Sequence, residues 1–252
     1  MRMQLATWPE VETYLKTSVG IILPIGSTEQ HGPTGFIGTD ALTAEMISIE
    51  VGERVGAMVA PTVSVGMAQH HLGFAGSMTL RPSTLISVIQ DMVNSLAHHG
   101  FERFYFINGH GGNVATVTAA FSEVYAESSF GTAASNRPPL RCALRNWYMG
   151  DKVGAISREA FGDDEGSHAT ASEVALTYFA FPEDGARVAQ APLEPARAAT
   201  GVIYDANDYR RQFPDGRIGS NPGRATKALG KQIFEAAVEE LCGDYRKFVE
   251  LS

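Results

Sequence analysis

Residues 19–33 constrain this chain more than any other stretch. Val19-Gly20-Ile21-Ile22-Leu23-Pro24-Ile25 reads as a buried strand, and it empties into Gly26-Ser27-Thr28-Glu29-Gln30-His31-Gly32-Pro33, with Gly38-Thr39-Asp40 shortly after. A loop just past the carboxyl end of a strand is where α/β proteins place their chemistry. In extended chain, residues i and i+2 point to one side, so Glu29 and His31 can face the same region while Gln30 points away. The loop therefore looks like half of a metal site, although a polar turn after a core strand accounts for the same residues.

Further strand runs at 57–65, 101–107 and 140–147 alternate with stretches of helical spacing at 41–55, 83–98 and 114–126. Thr7 can cap a short helix that opens at Trp8-Pro9-Glu10. Asp40 falls at the start of the helix over 41–55, where capping and metal ligation are both open to it. His70 and His71 sit in a loop over 66–77; as neighbours they face opposite ways in extended chain, so we expect pocket-lining, core or hydrogen-bonding roles rather than shared ligation. The strand over 101–107 delivers Asn108-Gly109-His110-Gly111-Gly112-Asn113 straight into a helix. No phosphate-loop spacing and no lysine occur in that turn, which argues against a nucleotide cradle. Glycines on both sides let the backbone approach a bound group, and His110 then shares a pocket with Glu29 and His31 if their strands are neighbours.

Downstream, 131–139 reads as a loop and 150–164 as a loop with a short helical piece. Ser167 is placed to cap a helix through 179, with His168 and Glu173 near its first turns. Residues 182–219 read as a polar meander with a β-ribbon at 201–204, and 227–249 as a closing amphipathic helix. No repeat, low-complexity segment or linker justifies dividing the chain, so a single α/β domain over 1–252 is expected.

Composition narrows the function. A formal net charge of −8, with no clustered excess of Lys and Arg, argues against a nucleic-acid surface. No apolar run approaches the ~20 residues of a membrane span, and the first twelve residues lack a basic-then-apolar leader pattern. Two cysteines without CxxC spacing read as reduced core thiols. A cytoplasmic protein is expected.

Taken together, Glu29-Gln30-His31-Gly32-Pro33, Gly38-Thr39-Asp40, Asn108-Gly109-His110-Gly111-Gly112-Asn113, and His168 with Glu173 resemble the creatininase (creatinine amidohydrolase) family. The resemblance runs nearly end to end, from Thr7-Trp8-Pro9-Glu10 through His71-Leu72-Gly73-Phe74-Ala75-Gly76 to the stretch from Asn221-Pro222 to Gly230. It implies a three-layer α/β/α fold around a mostly parallel sheet, and a homo-oligomer, commonly a hexamer. It also implies two divalent metal ions, zinc or manganese, one held by Glu29, Asp40 and His110 and the other by His31, Asp40 and Glu173, with Asp40 bridging. The implied reaction is attack of a metal-activated hydroxide on a C–N amide bond of a small molecule, cyclic or formyl-type. His168 is then the proton carrier, Glu165 the alternative, and Gln30 or Asn113 could orient the site from behind.

Two departures bear on substrate. The family's second-metal glutamate in the turn after the strand is Gly112 here, which leaves Glu173 the ligand role, and a lid tryptophan is replaced by Asp164. Thr34-Gly35-Phe36-Ile37 and Ala75 also differ from the usual motif, so creatinine itself is not expected as substrate. A non-catalytic relative would be expected to have lost ligands, yet all five and His168 are present.

Overall fold

The computed structural model describes residues 1–131, 138–188 and 192–250. Four strands, β1 (Gly20–Ile25), β2 (Met58–Val59), β3 (Arg103–Asn108) and β4 (Arg141–Asn146), form one sheet in the order β2-β1-β3-β4. Every pairing is parallel; Ile25 lies beside Asn108, and Asn108 beside Asn146. Parallel pairing requires a crossover after each strand, and α2 (Thr39–Val55), α3 (Pro82–His98) and α4 (Val114–Ser129) supply them, after α1 (Trp8–Leu15) at the start of the chain. The later helices are α5 (Asp151–Ala160), α6 (Ala171–Ala180), α7 (Pro182–Val188), α8 (Ala206–Gln212) and α9 (Lys227–Val249).

The period-two pattern of the strands explains the layering. Ile21, Leu23, Ile25, Phe104 and Phe106 point to one face and pack with Leu85, Ile89 and Val93 of α3 and Val117, Ala120 and Val124 of α4. Ile22, Tyr105 and Ile107 point to the other, among residues of α2, α6 and α9 such as Ile47, Ala175 and Ile233. A strand with both faces covered must be apolar at every position, as β1 is. The result is the three-layer α/β/α arrangement. No helix among the described residues is long and apolar enough to cross a membrane. Cys142 and Cys242 are not joined in a disulfide, and Cys142 is only half-buried.

Several expectations need correction. Only Met58–Val59 of the run over 57–65 joins the ladder, because Pro61 lacks an N–H and ends regular pairing; Val63 returns as an isolated bridge to Ile25. The stretch 150–164 contains a full ten-residue helix, α5, whose first turn is capped from afar as Glu240 accepts from Lys152 N at 2.8 Å. The meander over 182–219 holds α7 and α8, the latter capped by Asp205, and 201–204 forms no ribbon. The predicted loop over 131–139 lies largely outside the described residues.

Candidate metal centre

Three chain segments meet at the carboxyl ends of β1 and β3. The start of α2 is wedged between them, and the close approach depends on glycine. A Cβ at Gly26 would lie 2.4 Å from Ala41 N, and one at Gly109 would lie 2.2 Å from Asp40 O. Asp40 consequently reaches the turns that carry Glu29, His31 and His110. Asn113 ties those turns together, donating to Gly26 O at 2.9 Å and accepting from Met67 N at 3.0 Å.

The fourth contribution comes from α6. Its cap is Thr170, not Ser167: Thr170 Oγ1 accepts from Glu173 N at 3.3 Å while Thr170 N donates to Glu173 Oε1 at 2.5 Å, a reciprocal capping box. That contact turns Glu173 inward instead of leaving it on a solvated face. Ala169, buried and at φ 52°, takes a left-handed conformation that costs an L-residue ~1–2 kcal/mol. His168, just before it, pairs with Ile218 in a strand-like bridge.

Two groups of donors share Asp40. Glu29, Asp40 and His110 form one, and His31, Asp40 and Glu173 form the other, with the donor atoms of each group within 4.8 Å of one another. Asp40 Oδ1 lies 2.9 Å from His31 Nε2, and Oδ2 lies 3.0 Å from His110 Nδ1. A third group, Glu29, His31 and His168, overlaps both.

The hydrogen bonds behind the imidazoles set which nitrogen each presents, an assignment made from partners. His31 Nδ1 donates to Glu29 O at 3.0 Å, and His110 Nε2 donates to Met67 O at 2.9 Å. Each therefore turns its unprotonated nitrogen toward Asp40, the arrangement in which a histidine ligates a cation. Both oxygens of Glu29, which is fully buried, and Oδ2 of Asp40 accept no hydrogen bond of proper geometry. Buried carboxylates without such partners are costly unless a cation neutralises them. The residues present thus fit a pair of divalent cations. All-nitrogen and oxygen donation suits Zn²⁺ or Mn²⁺.

The electrostatic surroundings of these groups agree with this balance. Burial alone would lower the pKa of His31, but Asp40, Glu173 and Glu29 raise it to about 10. His110 is likewise pulled down by burial, yet raised to about 9 by Glu29 and Asp40. Burial would raise Asp40, but His31 and His110 hold it below the usual carboxylate range. Burial raises Glu173 to about 7 against the opposing influence of His31. Without cations, protons thus take their place on the imidazoles. The stabilisation they give the metal-free fold is complete below the unfolded pKa of 6.5 and is lost as pH rises through 9 to 10. Cation uptake near pH 8 is therefore expected to release about two protons per chain, and affinity to rise with pH until His31 and His110 are neutral. Titrating Zn²⁺ in two buffers of different ionisation heat measures this; uptake without proton release would contradict it.

Gln30 organises the neighbouring imidazoles. Its Nε2 lies 2.9 Å from Gly216 O and from His71 Nδ1, while His168 Nε2 donates to Gln30 O at 2.8 Å. His168 thereby presents Nδ1 to the site, 3.9 Å from Glu29 Oε1. Burial, then His71 and His31, hold its pKa well below the ordinary value, so it is neutral at physiological pH. His71 is buried on a short 3-10 turn, with Nε2 3.1 Å from Glu29 Oε1. This hydrogen-bonding place agrees with its expected role. Burial first, then the neighbouring imidazoles, lower it to about 2. Glu165 lines the same cavity of about 610 Å³, but both its oxygens accept from Ser172, one from N at 3.1 Å and the other from Oγ. Trp147 stays out of the cavity, buried with its N–H on Thr43 Oγ1 at 3.2 Å, whereas Tyr148 lines it. Burial, then Asp40 and Glu173, push the Tyr148 phenol above its usual range.

Sequence reasoning missed Tyr209 and Gly216, which anchor Gln30 from the stretch read as a meander. The Asp205 cap of α8, which accepts from Asn207 N and Asp208 N, was the available signal for Tyr209. At Gly112, a Cβ would lie 2.4 Å from His110 Nε2 and 2.7 Å from Met67 O. Gly112→Ala is expected to break the hydrogen bond that orients His110 and to weaken metal binding about 10- to 100-fold. Competition with a chelator checks it, and unchanged affinity would refute it.

A sequence model of the creatininase family, described as creatinine amidohydrolase, matches residues 4–244. The chain belongs to the creatininase family. Among individual relatives, it is 34% identical over 121 residues to a mycofactocin precursor peptide peptidase of Mycobacterium tuberculosis (strain CDC 1551 / Oshkosh), covering 44% of this chain and 48% of the relative. It is also 34% identical over 110 residues to a creatinine amidohydrolase of Pseudomonas putida, covering 41% of this chain and 42% of the relative. The chain thus spans about half or less of the length of these two relatives. The solved structure "Creatininase Mn" superposes with a TM-score of 0.83 over 99% of both chains at 21% identity, a likeness that shows the fold.

Proposed function

We propose that the chain is a metal-dependent hydrolase of a C–N amide bond in a small molecule other than creatinine. Glu29, Asp40 and His110 hold one divalent cation and His31, Asp40 and Glu173 a second. The observation that carries this reading is Asp40: one buried carboxylate presents one oxygen to His31 and the other to His110, so it belongs to both donor groups.

When bound, the two cations supply Lewis acidity, making water acidic enough to act as a nucleophile near neutral pH and polarising a carbonyl. The chain's own residues do the rest. His168, neutral and with Nδ1 facing the site, takes the proton that water loses as its oxygen adds to the amide carbon. It returns that proton to the nitrogen as the C–N bond breaks, giving a carboxylic acid and an amine. Gln30 holds His168 and His71 against rotation. Ser172 occupies both oxygens of Glu165, so we assign the proton transfer to His168 and a positioning role at the start of α6 to Glu165.

A peptide amide is the second reading. The mycofactocin relative bears the name of a peptidase, and a cavity of about 610 Å³ has room for more than a small ring. A panel of formamides, lactams, creatinine and short peptides, offered to protein loaded with Zn²⁺ or Mn²⁺, separates the two. Turnover confined to peptides would replace the small-molecule reading, and creatinine turnover at ordinary enzyme rates would show its exclusion to be misplaced.

A further inference from the structure

The cavity is lined by a phenol hydroxyl, that of Tyr148, that the scheme above does not use. Tyr148 follows β4 on a short 3-10 turn, and its ring packs edge-on against Trp147 with centroids 5.7 Å apart and planes at 86°. Trp147 is itself pinned to Thr43, one turn beyond Asp40 on α2, so the tyrosine ring rests on a fixed support. Its hydroxyl lies over Gly111, 3.5 Å from where a Cβ at that position would be. Gly111, Tyr148, Asp40 and Glu173 all line the cavity. Among the described residues, no hydrogen-bond partner occurs for the Tyr148 hydroxyl, in contrast to Tyr105, Tyr178 and Tyr209, whose hydroxyls all donate. A phenol on a rigid ring, with its donor free and aimed into a reaction cavity, is positioned to meet an acceptor that arrives with substrate.

We infer that the Tyr148 hydroxyl donates a hydrogen bond to the acyl oxygen of the bound amide, and most strongly to the oxyanion formed when water adds to the carbon. The inference rests on the hydrolase reading above. As the new C–O bond forms, the carbonyl π pair moves onto the acyl oxygen, which then accepts from Tyr148 Oη; the pair returns when the C–N bond breaks and His168 protonates the nitrogen. A donor fixed before the reaction stabilises that charge without reorganising. The substrate class this selects is an amide whose acyl oxygen can reach the space over Gly111.

Tyr148→Phe removes only an unpartnered hydroxyl, so folding, melting temperature and metal content are expected to match the wild type. Inorganic phosphate serves as the probe, a tetrahedral oxyanion resembling the addition intermediate. On metal-loaded wild-type protein it is expected to bind and to produce the ultraviolet difference band of a tyrosine gaining an acceptor. In Tyr148→Phe that band is lost and phosphate affinity falls roughly ten- to a hundredfold. For any amide the wild type turns over, kcat is expected to fall by a similar factor with KM little changed. Equal metal content with equal phosphate affinity in the two proteins would overturn the role of Tyr148 and leave the metal reading standing. A wild-type protein that takes up no metal would overturn the hydrolase reading, and this inference with it.

Discussion

Asp40→Ala is expected to bring the metal content from about two ions per chain to near zero and to abolish amide hydrolysis, a loss on the order of 10³-fold or more. The size of the effect follows from the geometry. Asp40 is 2% exposed, its two oxygens lie 2.9 and 3.0 Å from His31 and His110, and it is the residue common to the groups completed by Glu29 and by Glu173. Removing any other ligand damages one group; removing Asp40 damages both. Folding is expected to survive, because Asp40 sits in the first turn of α2 without capping it. Elemental analysis of the purified variant beside the wild type reads the result. Two ions retained per chain would eliminate the bridging assignment.

His168→Ala is expected to leave both ions in place while lowering kcat about 10²- to 10⁴-fold, the usual contribution of a positioned acid–base group. Glu165→Gln, by contrast, is expected to change kcat less than about tenfold, since both oxygens of Glu165 are engaged by Ser172. The comparison also decides the place of the third donor group, in which His168 joins Glu29 and His31. A fall in metal content in His168→Ala would make His168 a ligand. Equal losses of kcat in the two variants would return the proton transfer to an open contest between them.

The sequence made the centre legible because its residues are carried by strand ends. Glu29, His31 and His110 each lie a few residues past β1 or β3, and parallel neighbours bring such positions together whatever the loops do. Asp40 and Glu173 were readable from helix starts, and the closing helix over 227–249 from its one apolar face. What escaped depended on tertiary contacts. Alternation along extended chain set His70 and His71 apart, but a 3-10 turn at Gln69–His71 and the Gln30 side chain carry His71 against Glu29. Gln30, expected to point away from the side shared by Glu29 and His31, reaches His71 and Gly216. The Ser167 cap was misplaced although Thr170-Ala171-Ser172-Glu173 spells a capping box; the cluster of small polar residues there offers several candidate caps, and packing selects one. The short helix α5 draws its first-turn cap from distant Glu240, a signal that local periodicity does not carry, whereas α8 has a local cap in Asp205.

The most direct test of the central claim is the metal content of gently purified protein, measured by elemental analysis beside Glu173→Gln. About two divalent ions per chain, falling toward one in the variant while the Glu29, Asp40 and His110 group keeps its own, is the predicted result. No metal in either protein, even after reconstitution with Zn²⁺ or Mn²⁺, would contradict the account and leave a creatininase-family fold without the hydrolytic centre proposed for it.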